Sequence, residues 1–321
     1  MSQVMTGRPE DIVTLSVAPC IRKGIGVEIG RGCNHGCIYC FSACSTTGAT
    51  QSVVYYENCA QVLESFLQKN ATEVENVHLG YVTDFFQDAQ DTRVRAIQQE
   101  VLEVLAKYKV SVSCLTKGRP TDDAISVINK IGERFTLMLD VGMENVEWEP
   151  GVPTLSSRLG QVAKLDCNVG ARMDPIIPGL DDWCGYTSQA MERLSAIGIT
   201  DMDCSYLFMT DEVAQQVEEV FDEESLYKLY EYYAAGDEEH LNSAVAWTGH
   251  KIDLEDIRYK IDRIGLLSPD VDFRMQHFNE LRAKAEAFGI TARLCMCKNK
   301  SMKGTTGMCT DSRVINNRRR G

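Results

Sequence analysis

An α/β fold in which parallel strands wind into an open partial (β/α)6 barrel is what the sequence predicts, on three observations. Short β-branched apolar runs alternate with stretches of helical period, the pattern of repeated βα units. Six such units can be counted, too few for a closed eight-strand barrel, so function should sit at the C-terminal ends of the strands of an open one. The 321 residues, 44% hydrophobic and 25% charged, are enough for one large core with appendages.

The expected strands are Gly26 to Gly30, Val77 to Val82, Val110 to Leu115, Phe135 to Val141, Asn168 to Asp174 and Asp201 to Phe208. Helices are expected over Tyr56 to Gln68, Thr92 to Lys107, Asp122 to Lys130, Ser156 to Leu165 and Tyr186 to Ala196. Residues 1–23 read as an N-terminal extension, 24–210 as the barrel core and 211–272 as an acidic, Tyr-rich helical segment. The last stretch, 273–321, reads as a helix from Met275 to Phe288, a strand from Thr291 to Leu294 and a cysteine-bearing tail ending in Arg318, Arg319 and Arg320. Glu218, Glu219, Asp222, Glu223 and Glu224 read as a solvated face rather than a binding surface.

Neither a leader peptide nor a membrane span is indicated, so a cytoplasmic protein without a membrane partner is expected. Thirteen cysteines in such a chain are poorly explained by disulfides and better by metal. The net charge of -13 repels phosphate backbones at long range, although a local basic patch could still bind one, which favours a small-molecule or peptide substrate over duplex DNA.

Directly after the first expected strand, Cys33, Cys37 and Cys40 follow the spacing C-x3-C-x2-C. Three thiolates on one short loop can each take one iron of a cubane and leave the fourth iron without a protein ligand. Zinc or buried structural thiols are the alternatives. Structural zinc usually takes four ligands in paired spacing, and His35 lies too tightly between the cysteines for that.

The loop Gly32-Cys33-Asn34-His35-Gly36-Cys37-Ile38-Tyr39-Cys40 resembles the cluster loop of the spore photoproduct lyase-like branch of radical S-adenosylmethionine (SAM) enzymes. Three more segments are similar and fall in order at successive strand ends: Thr83-Asp84-Phe85-Phe86-Gln87, Thr116-Lys117 and Arg172-Met173-Asp174-Pro175-Ile176-Ile177-Pro178-Gly179. The resemblance spans about Gly26 to Phe208 and implies a radical SAM partial barrel. It further implies a [4Fe–4S] cluster on Cys33, Cys37 and Cys40, with SAM chelating the open iron and split by one electron to a 5'-deoxyadenosyl radical. Tyr39, Thr83, Asp84, Lys117, Arg172, Asp174 and Ile177 are the SAM contacts it implies: Thr83 and Asp84 for the ammonium, Lys117 for the carboxylate, the last three for the nucleoside. An electron donor such as flavodoxin or ferredoxin is also implied. One departure is that the branch's repair enzymes are thought to use a cysteine hydrogen donor just ahead of the Thr-Asp segment, where this chain has Tyr81 and Val82.

Cys295, Cys297 and Cys309 suit a second iron–sulfur cluster, with Cys20, Cys44 or Cys184 as candidate fourth ligands; buried or redox-labile thiols are the rival reading. Cys59, Cys114, Cys167 and Cys204 read as core residues, and His78, His240, His250 and His277 as structural histidines. Tyr206 reads equally as core or as a residue reaching the substrate. The expected function is hydrogen abstraction from a sugar- or nucleoside-like biosynthetic substrate. A nucleic-acid lesion lyase, a peptide-modifying enzyme and a non-enzymatic iron–sulfur or zinc protein are the alternatives.

Overall fold

A computed structural model describes residues 3–15, 23–40, 53–70, 72–87, 90–144, 147–179, 185–222 and 267–295, with 225, 226, 229, 232, 233, 299 and 302. In chain order the elements are β1 (Gln3–Met5), α1 (Pro9–Ile12), β2 (Val13–Thr14), β3 (Gly24–Val27), β4 (Gly30–Arg31), β5 (Val54–Tyr56), α2 (Cys59–Asn70), β6 (Asn76–Leu79) and α3 (Thr92–Lys107). They continue with β7 (Ser111–Thr116), α4 (Asp122–Ile131), β8 (Phe135–Asp140), α5 (Leu155–Val162), β9 (Asn168–Ile176), α6 (Tyr186–Ala196), β10 (Asp201–Tyr206), α7 (Asp211–Val220), α8 (Val271–Ala287) and β11 (Thr291–Leu294).

One sheet runs β11-β10-β9-β8-β7-β6-β3-β2, parallel throughout except for the short antiparallel edge β2. It does not close, so the open partial barrel is the fold, with β11 adding a seventh parallel strand to the six units expected. The register decides which residues face the helices. Leu139 pairs with Ala171, Ala171 with Met202 and Met202 with Ala292, and this row is buried under helices. Alternation puts Asp140, Arg172, Asp203 and Arg293, paired in the same way, on the opposite face. A sheet with one apolar and one polar face covers the first and leaves the second for a ligand.

The best-matched elements carry their own start and stop signals. Asp91 caps α3 by accepting the Arg93 amide, and Val94, Ile97, Val101, Leu102 and Leu105 bury one stripe of it. Thr121 caps α4, Asp122 and Asp123 complement its dipole, and Gly132 at φ 65° ends it. Four differences have physical causes. The first expected strand breaks at Val27, because Gly30 crosses to a second sheet, ordered β1-β5-β4, where a Cβ on it would lie 2.2 Å from the Val54 carbonyl oxygen. β5 takes Val54–Tyr56, so α2 begins at Cys59 rather than Tyr56. The second expected strand ends at Leu79, since Gly80 turns at φ 68°. α8 begins at Val271, four residues before Met275, because Asp270 caps it through the Asp272 and Phe273 amides.

The four cysteines read as core are buried. A second apolar cluster lies beyond the main core and joins Cys37, Tyr39, Trp148, Ile177, Leu207 and Met209 to Val213, Ala214 and Val217 of α7. The acidic segment is thus not only a solvated face: α7 turns an apolar stripe onto the cysteine loop and leaves Glu219 exposed. Glu223 and Glu224, most of 225–266 and the arginine terminus lie outside the described residues. No helix among the described residues is long and apolar enough to cross a membrane.

Candidate active site

The cysteine loop is held to the strand ends by hydrogen bonds on two sides. Gly32 at φ 78° and Gly36 at φ 60° supply the left-handed turns that let it fold tightly, and the Cys40 amide donates to the Cys37 carbonyl at 3.1 Å. On one side Gln87, fully buried, accepts the Asn34 amide at 2.6 Å and donates to the Gly32 carbonyl at 3.1 Å. His35 Nε2 lies 3.1 Å from Asp84 Oδ2. On the other side the Ile38 amide donates to the Trp148 carbonyl at 3.1 Å, and the Gly151 amide to the His35 carbonyl at 2.8 Å.

Asp84 ties this loop to the end of β7. Its Oδ1 accepts from the Phe86 amide and from the Thr116 hydroxyl at 2.6 Å, while Oδ2 accepts from the Lys117 amide at 2.6 Å and the Gly118 amide at 3.1 Å. Burial works against its charge, but His35, Thr116 and the Lys117 amide together hold the carboxyl below its ordinary range. Neither oxygen is left without a partner. Thr83 likewise gives its hydroxyl proton to Glu28 Oε2 at 2.8 Å. In the structure both side chains of the pair expected at the SAM ammonium bond to groups on neighbouring loops.

Glu28 was not legible in the sequence. Its carboxylate also accepts the Val82 and Thr83 amides, yet burial dominates and pushes its pKa up to about 7. An acid whose folded pKa is raised binds its proton more tightly folded than unfolded. The stability it contributes is present in full below about pH 4.5, the unfolded value, and is lost as pH rises through about 7. Thermal melts should show this loss across that window, and Glu28→Gln should flatten that part of the profile.

Lys117 meets several of the expected residues. Its Nζ lies 2.5 Å from Asp140 Oδ1 and 3.7 Å from Glu149 Oε1, and donates to the Asp174 carbonyl at 2.9 Å. It stands 5.6 Å from the centre of the Tyr39 ring. Burial pushes Asp140 up to about 6 in spite of Lys117. Arg172 grips Asp174 through Nε at 2.9 Å and Nη2 at 2.7 Å. His78, on the same polar face, is pushed down to about 4 by burial and by Arg172, and pairs with the Ser113 hydroxyl at 2.9 Å.

Asp140, Glu149 and the fully buried Arg158 were missed. Arg158 donates to the carbonyls of Asp140, Val141 and Pro153, which pins the end of β8 to the loop that follows. Cys295 directly follows β11 and donates its amide to the Cys204 carbonyl at 2.8 Å. Its own carbonyl accepts from Asn299, which accepts in turn from the buried Arg274. Tyr206 hydrogen-bonds His277 and the Arg274 carbonyl, a core position rather than a substrate contact. Cys297, Cys309, Cys20, Cys44, Cys184, His240 and His250 lie outside the described residues.

The donor set of the loop fits an iron–sulfur cube. Burial pushes Cys33 up to about 12, with Asp84 adding to the rise, and pushes Cys37 up as well. The charge of Cys40 adds to the rise at both Cys33 and Cys37, and Lys117 opposes the shift at Cys37, so a cation already stands where thiolate charge would gather. Among the described residues no three His, Cys, Asp or Glu side chains converge on a single ion. A cube asks instead for one thiolate on each of three irons.

Residues 27–160 match the radical SAM superfamily. That superfamily is an enzyme class that uses a [4Fe–4S] cluster and SAM. Uncharacterized proteins of Mycobacterium tuberculosis and Mycobacterium bovis are each 28% identical to it over 189 residues, 53% of this chain and 54% of theirs. The chain thus spans about half the length of the curated relatives it matches. Among solved structures, a mutant of spore photoproduct lyase is similar in fold, with a TM-score of 0.63 at 13% identity over 91% of this chain and 80% of that one. A second mutant, with bound AdoMet and dinucleoside spore photoproduct, gives 0.62 at 15% identity over the same shares.

Proposed function

We propose that the chain is a radical SAM enzyme that abstracts hydrogen from a small polar substrate, sugar- or nucleoside-like, lying on the polar face of the sheet beside the cysteine loop. The observation that supports this most is the clamped loop of Cys33, Cys37 and Cys40 at strand ends that also present Lys117, Asp140, Arg172 and Asp174. When bound, the cluster supplies the single electron that splits SAM.

The chain's own residues bind and orient. Lys117 offers its ammonium to the SAM carboxylate, which would share it with Asp140, and Asp140 gives way the more readily because its charge is already disfavoured by burial. Tyr39 and Ile177 belong to the apolar cluster that shields the loop, so their part is to bound the nucleoside and keep water away. Arg172 and Asp174 present a preformed ion pair to the sugar or base. Asp84, with Thr83 behind it on Glu28, positions the loop rather than the ligand.

Oxygen-free protein reconstituted with iron and sulfide, given dithionite and SAM, should release 5'-deoxyadenosine; Lys117→Ala should raise the SAM concentration needed by about 10- to 100-fold. No release from cluster-loaded protein would refute the reading. The fold shared with spore photoproduct lyase keeps a nucleic-acid lesion lyase as the second reading, which requires DNA binding that weakens steeply with salt. The net charge of -13 favours the first. A peptide substrate has no observation in its favour among the described residues.

We extend the proposal to a second iron–sulfur cluster on Cys295, Cys297 and Cys309, supported by their close spacing in the sequence and by the backbone bond that fixes Cys295 against Cys204. Replacing these three cysteines by alanine should lower the iron content of the reconstituted protein while leaving the first cluster's share. Unchanged iron would show that the tail holds none.

A further inference from the structure

The segment between β8 and α5 lies across the cysteine loop on the side away from Gln87. Its backbone meets the loop at two places, the Trp148 carbonyl on the Ile38 amide and the Gly151 amide on the His35 carbonyl. His35 Nδ1 also lies 3.2 Å from the Gly151 carbonyl. The fit is close, since a Cβ on Gly151 would stand 2.1 Å from the Asn34 carbonyl oxygen.

Between these two contacts sits Glu149, only 3% exposed. Its Oε1 accepts from the Tyr39 hydroxyl and lies 3.7 Å from Lys117 Nζ; its Oε2 accepts the Met143 amide at 2.8 Å. Gly142, at φ 65°, lets the chain after β8 approach so near that a Cβ there would be 2.5 Å from Oε2. A carboxylate is kept out of water only where donors satisfy it. The donors here come from three elements: the cysteine loop, the end of β7 and the end of β8.

We propose that Glu149 is a positioning residue that holds Tyr39, and with it the Cys37–Cys40 turn, at a fixed distance from Lys117, so that the cluster and the cation offered to the SAM carboxylate keep one relative pose. This rests on the reading that the loop carries the cluster and that Lys117 meets SAM. Tyr39→Phe isolates the contact, because it removes the hydroxyl and leaves the ring near Trp148, 6.2 Å away between centroids, and near Lys117.

Hydrogen exchange in the metal-free chain reads the contact without any cluster. Tyr39→Phe and Glu149→Ala should each quicken exchange at the Ile38 amide by about ten-fold, with the double variant no faster than Glu149→Ala alone, because that change has already removed the bond that Tyr39→Phe deletes. In loaded protein the same variants should lose iron to a chelator faster and blunt the change that SAM makes in the spectrum of the reduced cluster. Exchange like that of the wild type, additive effects in the double variant, or equal quickening in β7 would overturn the proposal, the last because it reports global destabilisation. Wild-type protein that takes up no iron would contradict the cluster reading instead, since exchange judges the Glu149 contact by itself.

Discussion

Alanine in place of Cys33, Cys37 and Cys40 should leave the reconstituted protein short of one cube's worth of iron and bring 5'-deoxyadenosine release to the level of protein-free buffer. Single changes at Cys37 should do nearly as much as the triple change, because a cube with two protein ligands exposes two irons and falls apart under a chelator. The loss concerns metal, not folding. Cys33 and Cys40 are part-exposed and Cys37 sits in a small cluster apart from the main core, so the metal-free variants should melt close to metal-free wild type. Iron and acid-labile sulfide analysis, paired with melts, separates the two effects.

The second large effect is expected at Asp84. Asp84→Ala leaves the Phe86, Lys117 and Gly118 amides, the Thr116 hydroxyl and His35 without their common acceptor. Removing one member of such a buried network costs about 4 kcal/mol, and in a chain of this size lowers Tm on the order of 10 °C. Because the same carboxylate ties the cysteine loop to β7, iron uptake should fall together with Tm. Asp84→Asn, which keeps one carbonyl acceptor, should lose about half as much. The sign with pH is the reverse of that at Glu28: a folded pKa held below the unfolded value gives stability that is present above about pH 4 and lost as pH falls further. Asp122→Ala, an exposed carboxylate paired with Lys164, is the comparison and should melt with wild type.

What was legible in the sequence follows from what carries a period. α3, α6 and β11 lie where helical spacing and β-branched runs place them, because each buries a whole face against the same sheet. The cysteine loop and Lys117 were legible because each follows a strand, and Arg172 because it lies toward the C-terminal end of one, where an open barrel gathers its polar groups. β1, β4 and β5, with two or three residues each, are too short to show alternation. Glu149 escaped notice because Glu149-Pro150-Gly151 reads as an ordinary turn; only folding brings it against Tyr39, far away in the chain. Asp140 and Glu28 escaped for the same reason, since the partners of a buried carboxylate are set by register rather than by spacing. Thr83 and Asp84 suit two roles at once: hydroxyl and carboxylate at a strand end fit a ligand as well as a loop clamp, and their loop partners were not visible in the sequence.

The central claim is that the cysteine loop holds an iron–sulfur cube with one iron open to SAM. Electron paramagnetic resonance of oxygen-free, dithionite-reduced protein addresses it directly. A [4Fe–4S] signal whose line shape shifts when SAM is added, and does not shift after the change of Cys33, Cys37 and Cys40 to alanine, is the predicted result. A loop that carries zinc, or a cube whose signal is indifferent to SAM, would contradict the account.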